Sequence, residues 1–196
     1  MASCLAVIAI ICVLITAVAT IVAFSTPNWI KMVTDGSLCN CKSCDCGLWL
    51  FCTSGSLSNS GDLGNCEWFF AKDYFIERSL PDWFKAVQGL MSCAIASSLL
   101  ALLVGLFSLC CKCKSCNPYH AAGAFINLTF LLIAVSVCVF GAKAFMNHGA
   151  VVLSSDSLPV KCIYGWSFWV AVGAATMALI TSTLFFCVGR QKDPYK

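Results

Sequence analysis

The chain has 196 residues, 60% of them hydrophobic and only 11% charged, with a formal net charge of +3. A soluble domain carries about 25% charged and 45–50% apolar residues, so this composition excludes an ordinary water-soluble globule. The apolar excess is gathered into four long runs within what reads as one domain, 1–196, which is the pattern of membrane spans.

Taken in chain order, the first run is 4–24 and contains no charge. No basic segment precedes it, and it exceeds the roughly 7–15 apolar residues of a secretory leader, so an uncleaved first span is expected. The second run is 86–109, the third 121–142 and the fourth 166–188; Lys143 closes the third and Arg190 the fourth. Each reaches the roughly 20 residues with which a helix crosses about 30 Å of hydrocarbon. Four spans place both termini and the loop 110–120 on one side, where Lys112, Lys114, Arg190, Lys192 and Lys196 stand against Asp193 alone. That density of bases marks the cytoplasmic side. The loops 25–85 and 147–165 are then extracellular and close to neutral, and the +3 reflects topology rather than an affinity for nucleic acid.

The long outer loop has its own structure. GLWLFC at 47–52, EWFF at 67–70 and YFI at 74–76 read as strands, separated by the Ser-, Gly- and Asn-rich stretch 53–65. The expected fold is an all-α membrane protein, a four-transmembrane-helix bundle carrying a small extracellular antiparallel β-sheet. Seven of the sixteen cysteines lie outside: Cys39, Cys41, Cys44, Cys46, Cys52, Cys66 and Cys162. An outside loop matures in an oxidising compartment, which favours disulfides over the zinc knuckle that CNCKSCDC at 39–46 also resembles. Cys52 and Cys66 flank the turn, so a bond between them would staple neighbouring strands, and this is the disulfide expected. Cys39, Cys41, Cys44, Cys46 and Cys162 are candidates for further bonds, with connectivity left open because seven is odd. On the inner side CCKCKSC at 110–116 gathers Cys110, Cys111, Cys113 and Cys116 among bases, a setting typical of reversible palmitoylation. Zinc binding and plain reduced thiols are the alternatives there.

No span carries Asp, Glu, Lys or Arg in its middle, which argues against transport through the bundle. The two histidines, His120 and His148, fall on opposite sides, and no Ser/His/Asp set, metalloprotease motif or phosphate-cradling loop is found, so no enzyme activity, cofactor or metal is expected. Gly105, Gly123, Gly141 and Gly173, with the small-residue stretch 173–178, are expected to bring helices close within the bundle. Trp29, Trp83, Phe84, Trp166 and Trp169 fit interface and packing positions, while Phe69 and Phe70 fit the core of a stapled sheet.

Trp29 after the first span, then Gly47, Leu48 and Trp49, then Cys52 and Cys66, resemble the W…GLW-x2-C…C signature of the claudin superfamily. The resemblance covers the whole chain: span number, short inner loop, long first outer loop and shorter second one. FKAVQGLM at 84–91 is similar to that family's approach to its second helix, with Gln88 where some claudins have Arg. YGWSF at 164–168 resembles the start of the fourth helix in peripheral myelin and epithelial membrane proteins and in gamma-type channel subunits. The resemblance implies that Trp29 tucks under the sheet. It further implies lateral and head-on self-association at cell–cell contacts, or, in the sister branches, an ion-channel partner or a membrane-organising role. In the second outer loop, Val151, Val152 and Leu153 form an apolar patch suited to contact across cells.

Overall fold

The computed structural model describes residues 2–33, 43–54, 66–69, 80–110, 117–146 and 161–191. Within them lie four helices: α1 (Ala2–Ser25), α2 (Asp82–Cys110), α3 (Pro118–Met146) and α4 (Trp166–Gln191). All four are long and apolar enough to cross a membrane. Each apolar run lies inside its helix, but α2 begins several residues before its run, and α3 extends several residues beyond its own at both ends. The reason is local. Asp82 stands in the first turn of α2, where a carboxylate suits the helix dipole, and the Pro81 carbonyl accepts from the amides of Phe84 and Lys85. Pro118 opens α3, a position that needs no amide hydrogen.

The helices are built inside-out relative to a soluble bundle. Large apolar side chains such as Ile8, Ile11, Leu14, Leu103, Phe107 and Leu131 point outward. Many of the buried positions are small or hydroxylated: Ala6, Ala9, Thr16 and Thr20 on α1, Ser97, Ser98 and Ala101 on α2, Thr129 and Ser136 on α3, Ala174, Ala178 and Thr181 on α4. Lipid is as apolar as leucine, so close backbone approach, not apolar burial, holds such helices together. Most of the buried hydroxyls donate within their own helix, as Thr16 does to the Cys12 carbonyl at 2.8 Å and Thr181 to that of Met177 at 2.7 Å. Ser97 instead donates to the Phe125 carbonyl of α3 at 2.8 Å and ties two helices directly.

The residues divide into two compact units. The first comprises Met1–Ile21, Leu90–Val135 and Ala171–Lys196. Its core sets Ile10 and Val13 of α1 against Tyr119 and Ile126 of α3 and Phe185 and Val188 of α4. Phe185 fits there because Gly105 and Gly123 carry no side chain: a Cβ on Gly123 would come within 3.2 Å of it, and one on Gly105 within 3.6 Å. The Asn117 amide donates to the Gly189 carbonyl at 2.9 Å, joining the start of α3 to the last turns of α4.

The second unit comprises Val22–Gly89 and Ser136–Val170 and holds the sheet. Five strands, β1 (Ile30–Val33), β2 (Ser43–Cys46), β3 (Leu50–Ser54), β4 (Cys66–Trp68) and β5 (Lys161–Tyr164), are ordered β4-β3-β2-β1-β5, every pair antiparallel. The expected strand at 47–52 begins only at Leu50, because Gly47–Trp49 form the turn that joins β2 to β3, closed by the Gly47 amide on the Leu50 carbonyl at 2.9 Å. The strand expected at 67–70 is Cys66–Trp68, and the one at 74–76 lies outside the described residues. Strands β1, β2 and β5 are additions to the sequence reading.

Candidate functional site

The distinctive geometry of the second unit is a backbone joint between the end of α1 and the sheet. Residues 26–29 run between two glycines. A Cβ on Gly47 would strike the Thr26 carbonyl and come within 2.6 Å of the Pro27 Cα, and one on Gly165 would strike the Asn28 carbonyl oxygen. The obstacles are backbone atoms that cannot rotate away, so only glycine fits at either place. The joint is then sewn by backbone hydrogen bonds. The Trp29 amide donates to Cys46, the Gly165 amide to Trp29 and the Ser167 amide to Asn28, at 3.0–3.1 Å. The last of these satisfies one of the orphan amides at the start of α4. The hydroxyls of Thr26 and Ser167 meet at 2.7 Å beside it.

Trp29 is fully buried in this joint. Its indole N–H donates to the Ala23 carbonyl at 2.6 Å, one of the last carbonyls of α1, and its ring meets Phe140 and Phe168 edge-on, with centroids 4.9 and 6.0 Å apart. Trp49 packs edge-on against Phe24 at 5.4 Å. Phe69 is buried against Phe84 at 6.1 Å, as expected for a core aromatic; Phe70 lies outside the described residues. Gln88 is buried on α2 and its amide donates to the Leu48 carbonyl at 2.6 Å, so α2 holds the turn at Gly47–Trp49 from the helix side. Tyr164 donates to the Gly141 carbonyl at 2.8 Å and stacks on Phe168.

A disulfide joins Cys52 of β3 to Cys66 of β4, which stand directly opposite in the register with their Cα atoms 4.1 Å apart. That separation suits the narrow, non-hydrogen-bonded type of antiparallel pair.

The family model of PMP-22, EMP, MP20 and claudin tight-junction proteins matches residues 14–187. The chain belongs to that family. A search of curated proteins returned no match.

As a claudin-family member with four spanning helices, the chain is a multi-pass membrane protein of the plasma membrane. The family's motif residues converge on one joint: Trp29 fills it, Gly47 permits it, the Leu48 carbonyl receives Gln88, and Cys52–Cys66 closes the adjoining hairpin. Gly165, Asn28 and Ser167 belong to the same joint and were missed by sequence reasoning. The signal for Gly165 was its place in YGWSF, between a strand and a helix start.

The remaining cysteines are distributed unevenly. Cys46 is buried, with its thiol 3.7 Å from the Gly47 carbonyl. Cys44 and Cys162 both stand opposite Met32, one on either side of β1. Two strand spacings separate them, about 9.5 Å, whereas a disulfide spans no more than roughly 7 Å between Cα atoms. The sheet therefore closes off that pairing among those the sequence leaves open. Cys39, Cys41, Cys111, Cys113 and Cys116, and the patch Val151, Val152 and Leu153, lie outside the described residues; Cys110 ends α2. Among the described residues no group of three or more His, Cys, Asp or Glu could hold a metal ion.

Of the four glycines expected to bring helices together, Gly105, Gly123 and Gly141 do so, the last against the Phe168 ring at 3.5 Å. Gly173 does not. A Cβ there would meet nothing within 4 Å, because Ala174, Ala175 and Ala178 turn inward on α4 and leave Gly173 outside.

Proposed function

We propose that this protein works at cell–cell contacts. Copies associate side by side in one membrane and head-on with copies in the apposed membrane, and their outer sheets contribute to adhesion or to a paracellular barrier or pore. The observation that carries the reading is the rigidity with which the sheet is held. A surface that must meet a neighbour at a fixed place gains from being anchored to the spans through backbone, and here two glycines, three backbone hydrogen bonds and a buried tryptophan do that. Family membership supports the same reading. So does the charge asymmetry, which favours a sheet outside and both termini in the cytoplasm. Lipid is the protein's solvent along all four spans.

Val151, Val152 and Leu153 are the proposed head-on contact of the second loop. In cells that lack junctional strands, the protein should gather where two expressing cells touch and avoid borders with non-expressing cells. Val151→Asp with Leu153→Asp should abolish that enrichment and leave surface expression intact. A uniform surface distribution of the unmutated protein overturns the proposal.

A second reading, an auxiliary subunit packed laterally on an ion channel, is favoured by one observation. Trp166 and Trp169, at the YGWSF start of α4 and three residues apart, are 49% and 60% exposed. Co-purification of a channel, combined with a uniform distribution in cells, supports this reading; a membrane-organising role of the peripheral-myelin kind predicts neither contact enrichment nor a retained channel.

A further inference from the structure

We infer that the sheet face turned away from its own helices is a two-fold docking surface for the same face of a second copy. The inference rests on the cell-contact reading and names a surface for it.

The register runs one continuous row through all five strands: Cys66, Cys52, Asp45, Lys31 and Ile163, each directly opposite the next. Directly opposed residues share a face. The adjacent row holds Cys46, Ile30 and Tyr164 and occupies the other face, where Cys46 and Ile30 are buried and Tyr164 donates to α3. The first row is therefore the outward one. Lys31 and Cys66 are exposed on it, Asp45 is half-buried, and Ile163 is 49% exposed. Trp68, two residues along β4 from Cys66 and so on the same face, is 53% exposed. An antiparallel sheet with one face in water ordinarily makes that face polar. This one displays an isoleucine, a tryptophan and a disulfide around the opposed pair Lys31 and Asp45, with Lys161, two residues along β5 from Ile163, on the same face by register.

The occupant follows from symmetry. A two-fold contact requires a surface complementary to itself. Lys31 and Asp45 stand side by side on β1 and β2, and a two-fold axis parallel to the strands between them exchanges the two strands. Lys31 of each copy then lies over Asp45 of the other, giving two reciprocal ion pairs, and Ile163 of each lies over the Cys52–Cys66 staple. Facing sheets pack about 10 Å apart, a gap that a lysine and an aspartate side chain together bridge. In the cell-contact reading the second copy belongs to the apposed membrane, which sets the strands, and with them the two-fold axis, along the membrane plane. Each ion pair is weak alone, but many copies along one contact engage together.

The test uses charge reversal in mixed cultures. K31D leaves two acids in the pair and D45K two bases. Neither variant should enrich at contacts with itself, whereas borders between K31D cells and D45K cells should enrich like the unmutated protein, as should the double variant K31D/D45K with itself. Enrichment of both single variants with themselves overturns the docking face. Loss in both without recovery at mixed borders overturns it too, because the charges then act only within one molecule. Surface biotinylation checks delivery, and K31E with D45R replaces either variant that is retained inside. Full-length protein in single-copy nanodiscs separates the two levels. Pairing by the same charge rule upholds the docking face even where cells show no enrichment, an outcome that would sink only the contact reading. Nanodiscs that fail to pair in low salt overturn the docking face itself.

Discussion

At the residue scale, glycine has opposite meanings in different parts of the chain. Gly47 and Gly165 are confined by backbone atoms of residues 26–28, whereas Gly89 and Gly173 face open space on α2 and α4. Gly47→Ala or Gly165→Ala should therefore lower stability by about 1–3 kcal/mol, the usual cost of forcing atoms into a packed site. Gly89→Ala and Gly173→Ala should raise it by about 0.5–1 kcal/mol, the helix preference of alanine over glycine. Thermal unfolding of the four variants in detergent checks this, and equal shifts in all four would refute the assigned packing. The sequence marked Gly47 through its place beside Leu48 and Trp49, but it could not separate Gly173 from Gly105. Both sit in apolar helical stretches, and only the rotation of each helix within its unit turns one inward and the other out.

At the scale of the elements, the apolar runs located all four helices because a membrane span needs length and the exclusion of charge, both visible residue by residue. The strands were less legible. β2 is Ser-Cys-Asp-Cys and β5 is Lys-Cys-Ile-Tyr, short segments whose strand character comes from pairing with β1 rather than from composition. β5 joins the sheet from beyond α3, a long-range pairing that no local pattern announces. The staple belongs to this scale as well. Cys52–Cys66 closes a loop with a sequence separation of 14, worth roughly 3 kcal/mol on chain-entropy grounds. Cys52→Ser or Cys66→Ser should reduce delivery to the cell surface, measured by surface biotinylation, with the unmutated chain alone shifting on a gel upon reduction. Normal delivery of both variants would show that the hairpin holds without its bond.

At the scale of the whole molecule, four spans put the N-terminus, the loop 110–120 and the C-terminus on one side, which we propose is the cytoplasmic one, and the cysteine cluster of that loop is read from there. Acylation of Cys110, Cys111, Cys113 and Cys116, which we propose, would add lipid anchors where bases already favour the anionic leaflet. Hydroxylamine-sensitive labelling should disappear when all four become Ser; persistence would place the lipid on another cysteine, and absence from the unmutated chain would mean plain thiols. The sequence by itself determined the membrane as solvent, the number of spans and the family, because hydrophobic length, charge placement and a short motif are properties of the linear chain. The tertiary structure alone decided that Trp29, Gly47, Gly165 and Gln88 serve one joint, that Cys44 and Cys162 lie too far apart to bond, and that Lys31 and Asp45 stand together on an outward face. Those facts depend on strand order and register, which bring together residues more than a hundred positions apart, and no local pattern encodes which strand becomes whose neighbour.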